Sequence, residues 1–370
     1  MKLETRTDID TAWQQTYAEL IATPEQAVAK IQPGRRVFIG TACAEPLALV
    51  DALAKRGREL ADIELVQILT TGTAPYAHKE LINNMRVNSF FIGDAVRDAV
   101  QEGRGDYTPI NLSDVPRLFR SGKLPIDVAL IQVSPPDSRG YCSLGISVDV
   151  VRAAAENAGV VIAQVNPNMP RTLGDEGLHV YDMDILVPID TELQEEEPPE
   201  LTDVTRSIGE NIASLVEDGS TLELGIGAVP HALLQFLSGK RNLGIHTEMF
   251  TDAIIDLIED GVINGEDKSL DRGKVVGSFC MGTKRLYLCI HDMLKFSFRT
   301  TEYVNDPFTI SRQDKMVAIN TALEIDLSGQ VCADSLGGKF YSGFGGQVDF
   351  NRGAARAKGG KAIIALPSLT

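Results

Sequence analysis

The sequence predicts an α/β protein built as two tandem, duplicated α/β domains with mainly parallel sheets and an interdomain cleft. Three observations lead there. Short apolar runs alternate with amphipathic stretches through most of the 370 residues, the rhythm of strand–helix–strand units. An acidic segment carrying Pro198-Pro199 separates two such series near residue 200. One motif also recurs, with the same residues at its fixed positions, 200 places further on.

In chain order, strands are expected at Arg36 to Ile39, Ile63 to Leu69, Val87 to Ile92, Asp127 to Val133, Val160 to Val165 and Ile185 to Ile189. Helical patterns lie between them at Pro46 to Arg58, Asp94 to Glu102, Val115 to Arg120 and Val150 to Ala158. Glu192 to Glu200 (ELQEEEPPE) has the composition of an exposed linker. It divides the chain into domains 1–200 and 201–370. A helix over about Asp203 to Val216 and a strand over Ser220 to Gly225 restart the alternation.

The repeat is specific. Gly145-x-x-x-Asp149-x-x-Arg152-x-Ala154-Ala155 precedes the apolar run Val160 to Ala163, and Gly345-x-x-x-Asp349-x-x-Arg352-x-Ala354-Ala355 precedes Ala362 to Ala365. Val37 to Gly40 followed by Glu45-Pro46-Leu47 likewise resembles Leu222 to Gly227 followed by Val229-Pro230. Two matches in the same order point to duplication of one α/β unit, and two related domains facing each other leave a cleft.

A net charge of −16 opposes nucleic acid and anionic membranes except at a local basic patch. The candidates, Lys55 to Arg58 and Arg352 to Lys361, are modest. An anionic cofactor can still be held by backbone amides. Five scattered cysteines without metal spacing read as reduced thiols. The five histidines form no ligand pair at helical spacing, so no metal site is expected. The N-terminus is polar, and no apolar run approaches the roughly 20 residues of a membrane span; a cytoplasmic protein is expected.

Four segments carry candidate chemistry. Glu248 follows the short apolar run ending at Ile245-His246-Thr247 and precedes the periodic stretch Ala253, Ile254, Leu257, Ile258. A carboxylate at a strand-to-helix junction sits where α/β folds build active sites, although acidic residues also favour a helix's first turn. Ser342-Gly343-Phe344-Gly345-Gly346-Gln347 is the sharpest glycine cluster; such loops aim amides at an anion, or simply turn. Glu223-Leu224-Gly225-Ile226-Gly227 reads as strand and turn, with Pro230 expected to open a helix. Its turn offers amides to phosphate but lacks the third glycine of a dinucleotide fingerprint. Asn305, expected to end a strand at Tyr303-Val304, either serves an oxyanion or caps a turn. Val133 to Asp137, with its two prolines, reads as a loop scaffold or a substrate wall.

Together the strings GIGAVPHALL, LGIHTEMFTDAIIDL, MGTKRLY and SGFGGQVDF, with VSPPDSRGYCSLG in the first half, resemble the acetyl-CoA hydrolase/transferase family of class I CoA-transferases. The branch they are most similar to is that of 4-hydroxybutyrate and butyryl-CoA:acetate CoA-transferases. The resemblance implies that Glu248 is the catalytic glutamate, joined in turn to acyl group and CoA. It implies that Gly345 or Gly346 supplies an oxyanion amide and that Asn305 serves the other oxyanion. Glu223 to Gly227, with Ser342, Gly343, Phe344 and Gln347, would contact CoA. It further implies acyl-CoA and short carboxylic acids as partners, CoA as substrate with no permanently bound cofactor, and a homodimer or higher homo-oligomer. Hydrolysis at the same residues, or a non-catalytic acyl-CoA-binding module, are the alternatives. Family members continue past the point where this chain ends at Thr370, so a further strand and a lysine near CoA are expected beyond it.

Overall fold

The structure, a computed structural model, describes residues 11–368. The first ten residues, read above for targeting signals, and the Leu369-Thr370 end lie outside them. Two parallel sheets organise the chain. The first contains β1 (Arg36–Ile39), β2 (Ile63–Gln67), β3 (Met85–Ser89), β4 (Asp106–Tyr107), β5 (Val128–Val133), β6 (Val160–Val165) and β7 (Ile185–Pro188), in the order β4-β3-β2-β1-β5-β6-β7. The second contains β8 (Thr221–Leu224), β9 (Gly244–His246), β10 (Val275–Gly277), β11 (Phe296–Phe298), β12 (Met316–Thr321) and β13 (Lys361–Ala365), in the order β11-β10-β9-β8-β12-β13. Position for position, the second order repeats the first six strands. The duplication read from the motifs is therefore present as topology.

Parallel strands covered on both faces must be apolar along their whole length. β5, Val-Ala-Leu-Ile-Gln-Val, is buried at every residue, and β6 at all but its first. Helices cover these faces, among them α1 (Leu47–Arg56), α2 (Asp94–Gln101), α3 (Val115–Arg120) and α4 (Val151–Asn157) on the first sheet. α5 (Asp203–Leu215) is started by a capping box in which Thr202 and Thr205 bond each other's backbone N–H. α6 (Ala228–Leu234) packs on it.

One apolar cluster joins the two units. It runs from Phe38, Val66 and Ile146 in the first to Leu224, Phe250 and Phe279 in the second. Backbone bonds cross with it: Val148 N–H donates to Ser278 O (3.0 Å) and Cys280 N–H to Ile146 O (2.9 Å).

Several expected boundaries shift for a physical reason. β2 stops at Gln67 and β3 at Ser89; Phe90 and Phe91 still donate to Gln67 O (2.9 Å) and Ile68 O (3.1 Å), and the chain leaves the sheet at Ile92. Ile92 N–H donates to Ser342 O of the second unit (3.2 Å). Tyr303-Val304 does not end a strand: Thr301–Val304 is one helical turn, and the strand stops earlier, at Phe298. Pro230 is the third residue of α6 rather than the first. Beyond Glu248 the chain first pairs Met249-Phe250 with Phe279-Cys280 before turning helical at Asp252. All five cysteines are free, and Cys289 and Cys332 are only partly buried rather than lodged in the core.

Glu45, between β1 and α1, is buried. Gly72 N–H donates to its Oε2 (2.9 Å), while Oε1 has no hydrogen-bond partner among the described residues. Burial raises its carboxyl to about 7. The folded state therefore holds a proton that the unfolded chain releases, and stability falls as pH rises from the ordinary carboxylate range through about 7. Glu45→Gln removes that slope. The variant is expected to melt with the wild type at pH 5 and to exceed it at pH 8 by up to ~3 kcal/mol, at about 1.4 kcal/mol per pKa unit. Denaturant titration at the two pH values checks this.

Candidate active site

The second sheet reverses its strand order between β8 and β12. Such a switch point opens a crevice at the carboxyl ends of the strands. β8 presents Glu223 there. Its neighbours Leu222 and Leu224 enter the apolar cluster, so alternation turns Glu223 to the opposite face. Its Oε2 accepts Ile319 N–H (2.9 Å) and Asn320 Nδ2–H (2.8 Å) from β12. The turn that follows needs glycine at Gly227, whose φ is 109°.

Glu248 follows β9 and is fixed by its own backbone. Its carbonyl accepts Ser278 N–H (2.9 Å) and Phe279 N–H (3.1 Å). Thr247, one residue before, ties the segment to β8 through Leu224 N–H, which donates to Thr247 Oγ1 (3.0 Å). The carboxyl then meets two partners. Asn305 Nδ2–H donates to Glu248 Oε2 at 2.7 Å, and the Gly346 backbone packs against the same carboxyl and favours its charged form. Asn305 is itself buried and anchored by its N–H to Thr301 O (2.9 Å).

The glycine loop is held from the first unit. Leu112 N–H donates to Gly345 O (3.4 Å). Ser113 donates from N (3.1 Å) and Oγ (2.9 Å) to Asp349, in the first turn of α7 (Gln347–Ala354). Gln347 Nε2–H donates to Thr321 O at 2.7 Å. Gly346 admits no side chain, since a Cβ there would overlap Glu248 Oε2 and Asn305 Nδ2.

Loss of hydration dominates the electrostatics. It pushes Glu248 up to about 7, with the charges of Asp349 and Asp149 adding to the rise while Asn305 and Gly346 oppose it. Glu248 keeps part of its surface, and that surface faces the cavity. Glu223 is driven up to about 8 by burial, with Glu248's charge adding to it.

These groups open on a cavity of about 740 Å³, within the range of small-molecule sites. Glu248, Glu223 to Gly227 and Ser342 to Gln347 all line it; Asn305 reaches it through Glu248. Val133 to Asp137 does not line it, nor does Gly140 to Gly145. Within that pair of segments Ser134 and Ser143 bond each other instead: Ser143 N–H donates to Ser134 Oγ (2.9 Å). Sequence reasoning missed Phe90, Phe91, Arg97 and Asn320 on the cavity wall, none of which stands in a motif. It also read Glu196 to Pro199 as linker only. That segment is exposed but lines the cavity mouth, pinned by Glu196 N–H to Gly282 O (3.0 Å).

Comparison with known proteins follows the same residues. The profile of the acetyl-CoA hydrolase/transferase N-terminal domain matches residues 1–195, and that of its C-terminal domain matches residues 282–370. The chain belongs to the acetyl-CoA hydrolase/transferase family. It is 50% identical to the 4-hydroxybutyrate coenzyme A transferase of Clostridium kluyveri, covering 96% of this chain and 83% of that one. It is 44% identical to a succinyl-CoA:acetate/propanoyl-CoA:succinate CoA transferase of Fasciola hepatica, covering 92% and 72%. A solved structure of a 4-hydroxybutyrate CoA-transferase from Porphyromonas gingivalis superposes with a TM-score of 0.81 at 38% identity, covering 94% and 81%. For a member of the acetyl-CoA hydrolase/transferase family, the two-domain architecture and the cavity between its sheets follow from one shared fold.

Asn305 opposes the rise in Glu248's titration. Asn305→Ala removes that donor and leaves Asp349 and Asp149 unopposed from that side, so Glu248 titrates above about 7 in the variant. Carbodiimide labelling of the Glu248 peptide as a function of pH, read by mass spectrometry, is expected to shift to higher pH. An unchanged labelling curve would show that the bond carries no weight.

Proposed function

We propose that this protein is a CoA-transferase that moves CoA from a short-chain acyl-CoA to a free carboxylate, with Glu248 as covalent carrier. The observation that carries the reading is the Glu248 carboxyl in the cavity wall, 2.7 Å from Asn305 Nδ2 and against the Gly346 amide.

A carboxylate attacks an activated acyl carbon well when it is poorly hydrated and fixed in direction. A Glu248 oxygen attacks the thioester carbonyl, the C–S bond breaks, and CoA leaves as thiolate from an acyl-glutamyl anhydride. The thiolate then attacks the glutamyl carbonyl, and the C–O bond breaks. The first carboxylate departs, leaving a glutamyl-CoA thioester. A second carboxylate reverses both steps and leaves as the new acyl-CoA. Each addition places negative charge on a carbonyl oxygen. Asn305 Nδ2 and the amide of Gly345 or Gly346 stand to receive it, each such donor being worth about 10²–10³ in rate. No ATP is consumed, because the thioester's free energy passes into the anhydride and back. CoA is thus a substrate that enters and leaves, touching Glu223 to Gly227 and the loop from Ser342 to Gln347.

Short monocarboxylates such as acetate, butyrate or 4-hydroxybutyrate suit the cavity. Asp94, Glu196, Glu197 and Asp252 also line it, and Arg97 is the one Lys or Arg among its lining residues. Hydrolysis is the second reading, favoured by the part of Glu248 that faces the cavity, where water has access. Acyl exchange measured against net free thiol, with and without acetate, separates the two.

The central test is chemical trapping. Incubation with acyl-CoA followed by borohydride should reduce a thioester at Glu248 alone, seen as a mass change in its peptide. Glu248→Ala should abolish both label and exchange. Because only the ionised carboxyl attacks, kcat/KM should rise with pH through about 7. A label on another residue, or none, would overturn the mechanism.

A further inference from the structure

Glu223 shares the cavity with Glu248 yet has no part in the covalent steps. Three features of its setting bear on its protonation state. First, it is 3% exposed, in a site whose neighbours supply no countercharge. The charged residues around the cavity are Asp94, Arg97, Glu196, Glu197, Glu248 and Asp252, with His231 beside them. Of these, Glu248 is the group whose charge bears on Glu223, and it is a second carboxylate. Arg97 is turned elsewhere, over the Tyr341 ring at 4.2 Å and onto Asp94 at 2.7 Å. From β12 the facing groups are the uncharged Ile319 amide and Asn320.

Second, both N–H donors to Glu223 fall on one oxygen, Oε2. Both bonds oppose the rise caused by burial, but neither reaches Oε1, which leaves that oxygen able to carry a proton and donate it. Third, Glu223 is part of the cavity wall, so Oε1 is the oxygen left to face the ligand. Burial raises both carboxyls, and Glu223 is the more deeply buried of the two, since Glu248 keeps part of its surface. Of two interacting carboxyls the more deeply buried keeps its proton while the other ionises.

Resting on the CoA-transfer reading, we propose that Glu223 is a protonated acid in the working enzyme and donates an Oε1–H hydrogen bond to the carboxylate substrate entering beside Glu248. The same proton keeps a second negative charge away from that anion. Glu223 is thereby a specificity and binding group for the carboxylate, distinct from the nucleophile. Its proton is never transferred.

The test uses Glu223→Gln and Glu223→Ala, with folding verified by thermal melts. Glutamine keeps an acceptor for Ile319 and Asn320 and offers an amide donor in place of Oε1–H, without titrating. In the wild type, kcat/KM for the carboxylate should fall as pH rises through about 8, whereas the rise set by Glu248 belongs to kcat/KM for acyl-CoA. In Glu223→Gln that alkaline fall should vanish. In Glu223→Ala, kcat/KM for the carboxylate should drop about tenfold below pH 8, one lost hydrogen bond to a charged group, and the gap to the wild type should close above it as the wild type loses its proton. Infrared spectroscopy at pH 7 supplies a readout apart from turnover: a protonated-carboxyl band present in the wild type and missing from Glu223→Gln. The proposal is overturned if the alkaline fall persists in Glu223→Gln, if that variant loses as much as Glu223→Ala, or if the band is unchanged. Borohydride labelling of Glu248 in the wild type tells this failure from failure of the covalent mechanism, since label at Glu248 would leave that mechanism standing.

Discussion

The contact between the Glu248 carboxyl and the chain at Gly346 is the constraint on which the site depends. A carboxyl group can reach a backbone amide this closely only where the residue behind that amide has no Cβ, because one at Gly346 would overlap both Glu248 and Asn305. The loop must in turn be stiff, since a wandering glycine segment would forfeit the alignment. Stiffness comes from the other unit: Ile92 and Leu112 donate to Ser342 and Gly345 carbonyls, and Ser113 holds Asp349. The unit that carries Glu248 therefore borrows the rigidity of its partner sheet. The apolar cluster shared by both units is what keeps the two from separating.

Duplication supplied two equivalent positions and the chain uses them differently. Asp149, just ahead of its own helix, accepts the amide of that helix's first residue, Val151 (2.9 Å). Asp349, 200 residues on, stands inside the first turn of α7 and turns its carboxyl across the interface to Ser113. The sequence motif is the same and the local backbone similar. The difference is what lies opposite. In one copy the carboxylate serves local helix entry, and in the other it fastens the glycine loop over Glu248. A repeat thus becomes asymmetric at its interface first, where each copy meets a different neighbour.

Much of this architecture was legible in the residues. β1, β6 and α3 fall at their expected bounds, because buried β-branched runs and a helix with proline in its first turn have little alternative. The motifs around Glu248, Glu223 and Gly346 were legible because glycine and carboxylate stand out against an apolar background. What could not be read were features set by distant chain. Past Phe91 the chain leaves the first sheet, and Ile92 pairs with a residue some 250 positions away. Thr301–Val304 reads as strand by composition, yet it coils because Thr301 N–H must reach Asp149 O (3.3 Å) and Asn305 must come back to Glu248. Phe90, Phe91 and Arg97 belong to the cavity only because the glycine loop docks there. No local pattern announces such residues.

The acidity of the chain and the chemistry of its site are connected by solvation. A protein carrying a net charge of −16 that handles anions must keep its own carboxylates from repelling them. Cations are one answer, yet the cavity offers chiefly Arg97, already engaged with Tyr341 and Asp94. Burial is the answer used instead. Glu45, Glu223, Glu248 and Asp349 are all raised, each with loss of hydration as the first cause. A carboxyl held near neutrality can be an acid donor at one position and a nucleophile at the next, according to which has access to the cavity and to placed N–H groups. The cost is stability that declines as pH rises. Burial, rather than pairing with lysine or arginine, is what raises the carboxyls of Glu223 and Glu248 on the cavity wall of this acidic protein.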